Sequence, residues 1–167
     1  THLPERALRT AVVVAVILAG AVAYVNTVDG DWVWDDASSV LLHEHVQDPS
    51  KFFALFAEDQ HAFGRGAGNF YRPLVSASFM LDFLLSYDPA RDAAPDAPYP
   101  DVAPTLFHIT NLLWHVAAAL LVFALLGRLG APRFVRAVTP LLFVVHPLHT
   151  EAVAYISGRA DMMAAAF

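Results

Sequence analysis

Cysteine is absent from all 167 residues, so no disulfide and no thiolate metal site can form. Charge is also scarce: charged residues make up 16% of the chain, against roughly 25% in an average soluble domain. Bases are fewer than acids, 10 Lys+Arg against 16 Asp+Glu, and no basic run occurs, which argues against a nucleic-acid binder. Intrinsic disorder is excluded, because it needs low hydrophobicity and high charge. What is present instead is apolar: 57% hydrophobic residues and a mean hydropathy of +0.48, gathered into long unbroken runs. That distribution predicts an all-α integral membrane protein.

Three spans are predicted, with the start of a fourth. The first covers Ala11 to about Val28, close to the roughly 20 residues that cross a bilayer core. A signal peptide is the competing reading. The run is long for one, and Tyr24-Val25-Asn26 lacks the small residues of a cleavage site. The second span is Leu106 to Leu126. The third runs from about Phe134 to Ile156 and contains Pro147, where a kink or break is expected. Met162 to Phe167 reads as the opening of a fourth, which suggests the N-terminal piece of a longer polypeptide. The chain thus divides into 1–28, an outer loop over 29–104, and a second membrane segment over 105–167.

Arginine placement sets the expected orientation. Arg6 and Arg9 precede the first span, and Arg128, Arg133 and Arg136 fill the short loop between the second and third. The long 29–104 segment holds 13 acids and four bases, a net charge of −9. By the positive-inside rule the N terminus is cytoplasmic and the long loop periplasmic or lumenal, a bacterial inner membrane being favoured. Within that loop, Asp48-Pro49-Ser50 reads as the start of a short helix carrying Phe52, Phe53, Leu55 and Phe56, suited to the membrane interface. Gly64 to Gly68 reads as a flexible turn. Pro73 to Tyr87 reads as an interfacial or re-entrant helix, too short to span and interrupted by Asp82. Residues 88–104, rich in Pro, Asp and Ala, read as a loop.

Three groups of residues bear chemistry. Asp35-Asp36 follows Trp32-Val33-Trp34 at the outer membrane boundary, where a carboxylate can serve as base or metal ligand, or simply sit in a solvated turn. His108, Asn111 and His115 share one face of the second span, for helix–helix hydrogen bonding or, at His115, a pigment or haem. The stretch from His146 to Asp161 offers His146, His149 and Glu151 as acid, base or hydrogen-bonding groups and Arg159 as a phosphate partner. A zinc site there lacks the His-Glu-x-x-His register.

Set in order, Trp34-Asp35-Asp36, Asn69-Phe70-Tyr71-Arg72-Pro73-Leu74, Phe107 to His115, His146 to Val153 and Ser157-Gly158-Arg159-Ala160-Asp161 resemble the N-terminal part of the membrane proteins with tetratricopeptide repeats. That group includes the transmembrane O-mannosyltransferases. The resemblance implies a GT-C glycosyltransferase fold with a large first outer loop bearing an acidic motif. It implies sugar transfer from a polyprenyl-phosphate donor to a protein hydroxyl, with no resident cofactor and an undetermined need for divalent metal. Carried over by position, Asp35 or Asp36 becomes the base that deprotonates the acceptor. Arg72 and Arg159, with His146, His149 and Glu151, become candidates for the donor and its lipid phosphate. The partners implied are membrane lipid and the remaining helices of a longer chain. The short length leaves a second reading: a non-catalytic transmembrane subunit docked in a larger membrane complex of respiratory or photosynthetic type.

Overall fold

The computed structural model describes residues 4–57, 59, 70–89 and 100–167. The predicted turn at Gly64–Gly68, and most of the predicted loop between Asp88 and Pro104, lie outside these residues. Among the described residues every regular element is helical. The α-helices are α1 (Glu5–Tyr24), α2 (Glu44–Gln47), α3 (Pro73–Ser86), α4 (Thr105–Arg128), α5 (Arg133–Val145), α6 (Thr150–Ala154) and α7 (Arg159–Ala166), with short 3₁₀ turns between several of them.

Two segments are long and apolar enough to cross a membrane: α1 with its following turn, Glu5–Thr27, and α4. A third candidate is α5 joined to Pro147–Ala154, bent by 44°. The bend falls where the sequence places it. Pro147 has no N–H, His146 is extended, and the His146 ring Nδ1 instead accepts from Leu148 N at 3.2 Å. The two long helices form where their sequence is richest in Ala, Val and Leu, and each buries one stripe. Val12, Val16, Gly20 and Tyr24 recur every four residues along α1 and face α4 and α5. Gly20 is required there: a Cβ would lie 2.9 Å from Val116 and 3.0 Å from Val144. Val14, Ile17, Leu18 and Val22 face outward, as lipid-facing residues do.

α3 is 14 residues long and apolar, below the length of a span. The segment after Asp48 differs from expectation. Instead of one helix it forms two 3₁₀ turns, Pro49–Lys51 and Ala54–Phe56, because the Asp48 carboxylate accepts from Ser50 N at 2.9 Å and tightens the first. Leu55 is buried, and Phe52, Phe53 and Phe56 remain exposed beside one another.

One buried arginine joins α3, α4 and α7. Arg159 opens α7 with its side chain fully buried, 2.6 Å from the Asp82 carboxylate of α3. It donates to Asn111 Oδ1 at 2.7 Å, Ser78 Oγ at 2.6 Å and the Phe107 carbonyl at 3.0 Å, and lies 4.5 Å from the Phe79 ring centroid. Asn111 in turn donates to the carbonyl of Tyr155 at 2.9 Å. A charge of this kind is tolerated in a core only when each donor is used, as most are here.

Candidate functional site

A cleft of about 460 Å³ opens where the first span ends, against α4 and α6. Asp31, Trp34, His108, Glu151 and Tyr155 line it, with Gly30 at its base. Gly30 packs on His108: a Cβ there would stand 3.0 Å from Nε2. Both His108 ring nitrogens are buried, and neither makes a hydrogen bond of good geometry to the described residues.

The acidic pair follows Trp34 in the chain without lining the cleft, and splits into two roles. Asp36 is fully buried: Oδ2 accepts from Val33 N at 3.1 Å and Oδ1 accepts from Ser157 N at 2.8 Å. It therefore clamps the 157 turn onto the 33–36 turn. Burial pushes its carboxyl above the ordinary range, partly offset by these two N–H groups. Asp35 is exposed, and its backbone N–H donates to the Tyr155 hydroxyl at 3.2 Å. The Asp36 clamp explains the shape of Trp34, which has φ +47°, a left-handed conformation rare for a bulky residue. Its side chain, 82% exposed, stands edge-on to Tyr155 with centroids 5.8 Å apart. Trp32 anchors the segment from below, donating from Nε1 to the Val102 carbonyl at 3.1 Å and packing on Phe107.

The structure brings some predicted residues together and separates others. Glu151 is exposed in the cleft with Trp34 and Tyr155. His146 and His149 lie at the break of the bent third segment. The His149 ring packs 4.5 Å from Phe143 and 5.2 Å from His115, whose Nε2 is 3.1 Å from the Val144 carbonyl. Among the described residues no group of three or more His, Asp or Glu side chains is arranged to hold a metal ion. Arg72 lines a different cavity, of about 410 Å³, with Tyr71 and Asp161, and rests 4.8 Å from the Phe70 ring. Arg159 lines neither cavity, and its guanidinium is engaged by Asp82, Asn111, Ser78 and Phe107. Sequence reasoning did not single out Asp31 or Tyr155. Tyr155 carried a signal, since it lies inside the polar 146–161 stretch.

Comparison with known proteins agrees with the motif pattern. The chain is 33% identical over 159 residues to protein O-mannosyl-transferase TMTC1 of Mus musculus, covering 90% of this chain and 15% of that protein. It is 28% identical over 158 residues to TMTC3 of the same species, covering 93% of this chain and 16% of the relative. It is 32% identical over 146 residues to Tmtc2 of Drosophila melanogaster, covering 86% and 14%. The chain therefore spans about 15% of the length of these curated relatives. No family model and no solved structure matches it.

Proposed function

From its likeness to the TMTC protein O-mannosyl-transferases over some nine tenths of its residues, we propose that this chain forms part of a GT-C-type membrane glycosyltransferase. The enzyme transfers a sugar from a polyprenyl-phosphate donor to a protein hydroxyl. That likeness is the observation that carries the reading, and the cleft beside the acidic pair supports it. In this reading the Arg-bearing helix ends face the cytoplasm, and the cleft faces the periplasm or lumen, where acceptor chains arrive.

The exposed Asp35 carboxylate takes the proton of the acceptor hydroxyl as its oxygen attacks the anomeric carbon. The bond from that carbon to the phosphate oxygen breaks, and the lipid phosphate leaves with the electron pair. Asp36 is a positioning residue: with both oxygens committed to backbone N–H groups, it fixes the 33–36 turn and, through Ser157, the Tyr155 side of the cleft. Trp34 and Tyr155 offer aromatic faces to a sugar ring. Arg72, partly exposed in the separate cavity with Tyr71 and Asp161, is the cation of the predicted set that this reading assigns to the lipid phosphate. Arg159 acts through the core that holds α3 to α7.

Purified full-length protein, incubated with a polyprenyl-phosphate mannose and a Ser/Thr peptide, tests this by the mass of the product. Asp35→Asn should lower transfer by about 10²–10⁴-fold while the protein still inserts and purifies normally. Near-normal transfer by Asp35→Asn rejects the base assignment, and no hexose transfer by the parent protein rejects the enzyme.

A further inference from the structure

At the opposite end of the helix bundle, α1 begins, α4 ends and α5 begins. Arg9, Arg133 and Arg136 gather there around one carboxylate, Glu5, with Arg128 at the end of α4. Arg136 Nη2 donates to Glu5 at 2.7 Å, Arg9 Nε donates at 3.2 Å, and Arg133 Nε stands 3.6 Å away. Arg128 has no ion pair among the described residues. Beside Glu5 lies a cavity of about 330 Å³ lined by Arg9, Phe123, Ala124, Gly127, Arg128 and Arg136. It is a built pocket, not a set of loose surface charges. The Arg136 side chain is only 12% exposed, its guanidinium lies over the Phe123 ring with the central carbon 5.6 Å from the centroid, and its buried Nε has no hydrogen-bond partner. Glu5 balances one of the four guanidinium charges. The remaining positive charge, with Arg128 lining the cavity and no carboxylate beside it there among the described residues, marks a place for an anion.

We propose that this cavity binds a phosphate-bearing anion, the phosphate of an anionic membrane lipid being the source its position favours. A phosphate oxygen set matches the planar donor fork of arginine; Arg128 lines the cavity with such a fork, and Arg136, held by Glu5, adds its positive charge. The flanking surface is apolar: Leu121, Leu125 and Phe134 are exposed at the same helix ends and would meet the acyl chains of a lipid whose headgroup filled the cavity.

Native mass spectrometry of the full-length protein, released from micelles doped with phosphatidylglycerol or phosphatidylcholine, tests the site. Phosphatidylglycerol should be retained in preference. Arg128→Gln should weaken retention about fivefold. Gly127→Leu keeps every charge but fills the cavity: a Cβ at 127 already lies 3.7 Å from the Arg136 guanidinium, so a leucine side chain projects into the space. It should abolish retention. Arg6→Gln, an exposed base at the same end but outside the cavity, should leave retention unchanged. Equal loss in Arg6→Gln and Arg128→Gln, equal retention of the two lipids, or unchanged retention in Gly127→Leu overturns the proposal. Millimolar inorganic phosphate identifies the source. Displacement of phosphatidylglycerol from the parent protein supports the site with free phosphate as occupant. Saturating phosphate without displacement supports it with lipid as occupant.

Discussion

Asp82 of α3 and Arg159 of α7 face each other at 2.6 Å, both side chains almost wholly out of solvent. The pair sits between hydrophobic side chains of α3 and α4, with Thr110 Oγ1 donating to the other Asp82 oxygen at 2.9 Å. Removing one partner leaves an uncompensated buried charge, typically worth about 3–5 kcal/mol. Arg159→Ala should therefore lower the thermal stability of the purified protein sharply and reduce its yield. Arg159→Met with Asp82→Leu should restore much of that stability. If Arg159→Ala melts with the parent, the pair is not a structural tie, and a direct role for Arg159 at the donor phosphate regains ground.

Asp36 gives a pH dependence with a definite sign. Burial raises its carboxyl above the value near 3.9 that an unfolded chain gives it, so between those two values the folded state binds the extra proton. Stability from this group is fully present below the unfolded value and is lost as pH rises through the folded one. Thermal melts of the parent should lose stability over that window on going from acid toward neutrality, and Asp36→Asn should flatten that part of the curve. The variant should also start about 1–3 kcal/mol lower, because an amide can accept from only one of the Val33 and Ser157 N–H groups. An unchanged slope in Asp36→Asn rejects the assignment.

How far the sequence foretold this arrangement depends on the distance over which each residue acts. His108, Asn111 and His115 were legible as one face because helical spacing alone brings them together, and all three are buried on α4. The break at Pro147 was legible because proline removes a backbone donor locally. The tie between Arg159 and Asp82 was not legible, because the carboxylate lies on another helix, where Asp82 reads only as an interruption in an apolar run. The same holds for Asp35 and Asp36. They are neighbours in sequence, but one is buried and the other exposed, because only Asp36 meets Ser157 across 121 positions of chain. Pro140 lies inside α5, and the helix continues through it.

Trp34 separates strain from function. A left-handed conformation costs a non-glycine residue roughly 1–2 kcal/mol, and glycine adopts it freely while losing more entropy on folding. Trp34→Gly should therefore melt within about 1 kcal/mol of the parent, since the exposed indole contributes little burial. If the indole serves as a sugar platform in the cleft, the same variant should raise the KM for donor or acceptor several-fold with the fold intact. A large loss of stability would mean that the contact with Tyr155 holds the turn in place. Unchanged stability with unchanged KM would remove Trp34 from the site.

The orientation is open to a direct test, because the absence of cysteine gives a clean background for single replacements. Ala103 and Leu129 are exposed and lie beyond opposite ends of α4, a helix long and apolar enough to span. Arginines gather at the Leu129 end and acids at the other, and short flanking loops rich in Arg are retained in the cytoplasm. In intact cells, or sealed vesicles of the same orientation, an impermeant maleimide should label Ala103→Cys at once and Leu129→Cys only after permeabilisation. The proposed chemistry depends on this result, since Asp35, Glu151 and Arg72 can meet a donor lipid and a secreted acceptor only from the outer side. Labelling of Leu129→Cys before permeabilisation, with Ala103→Cys protected, would place the cleft in the cytoplasm and the arginine pocket outside. The transfer reaction would then need a cytoplasmic donor, and the lipid proposed for the arginine pocket would have to come from the outer leaflet.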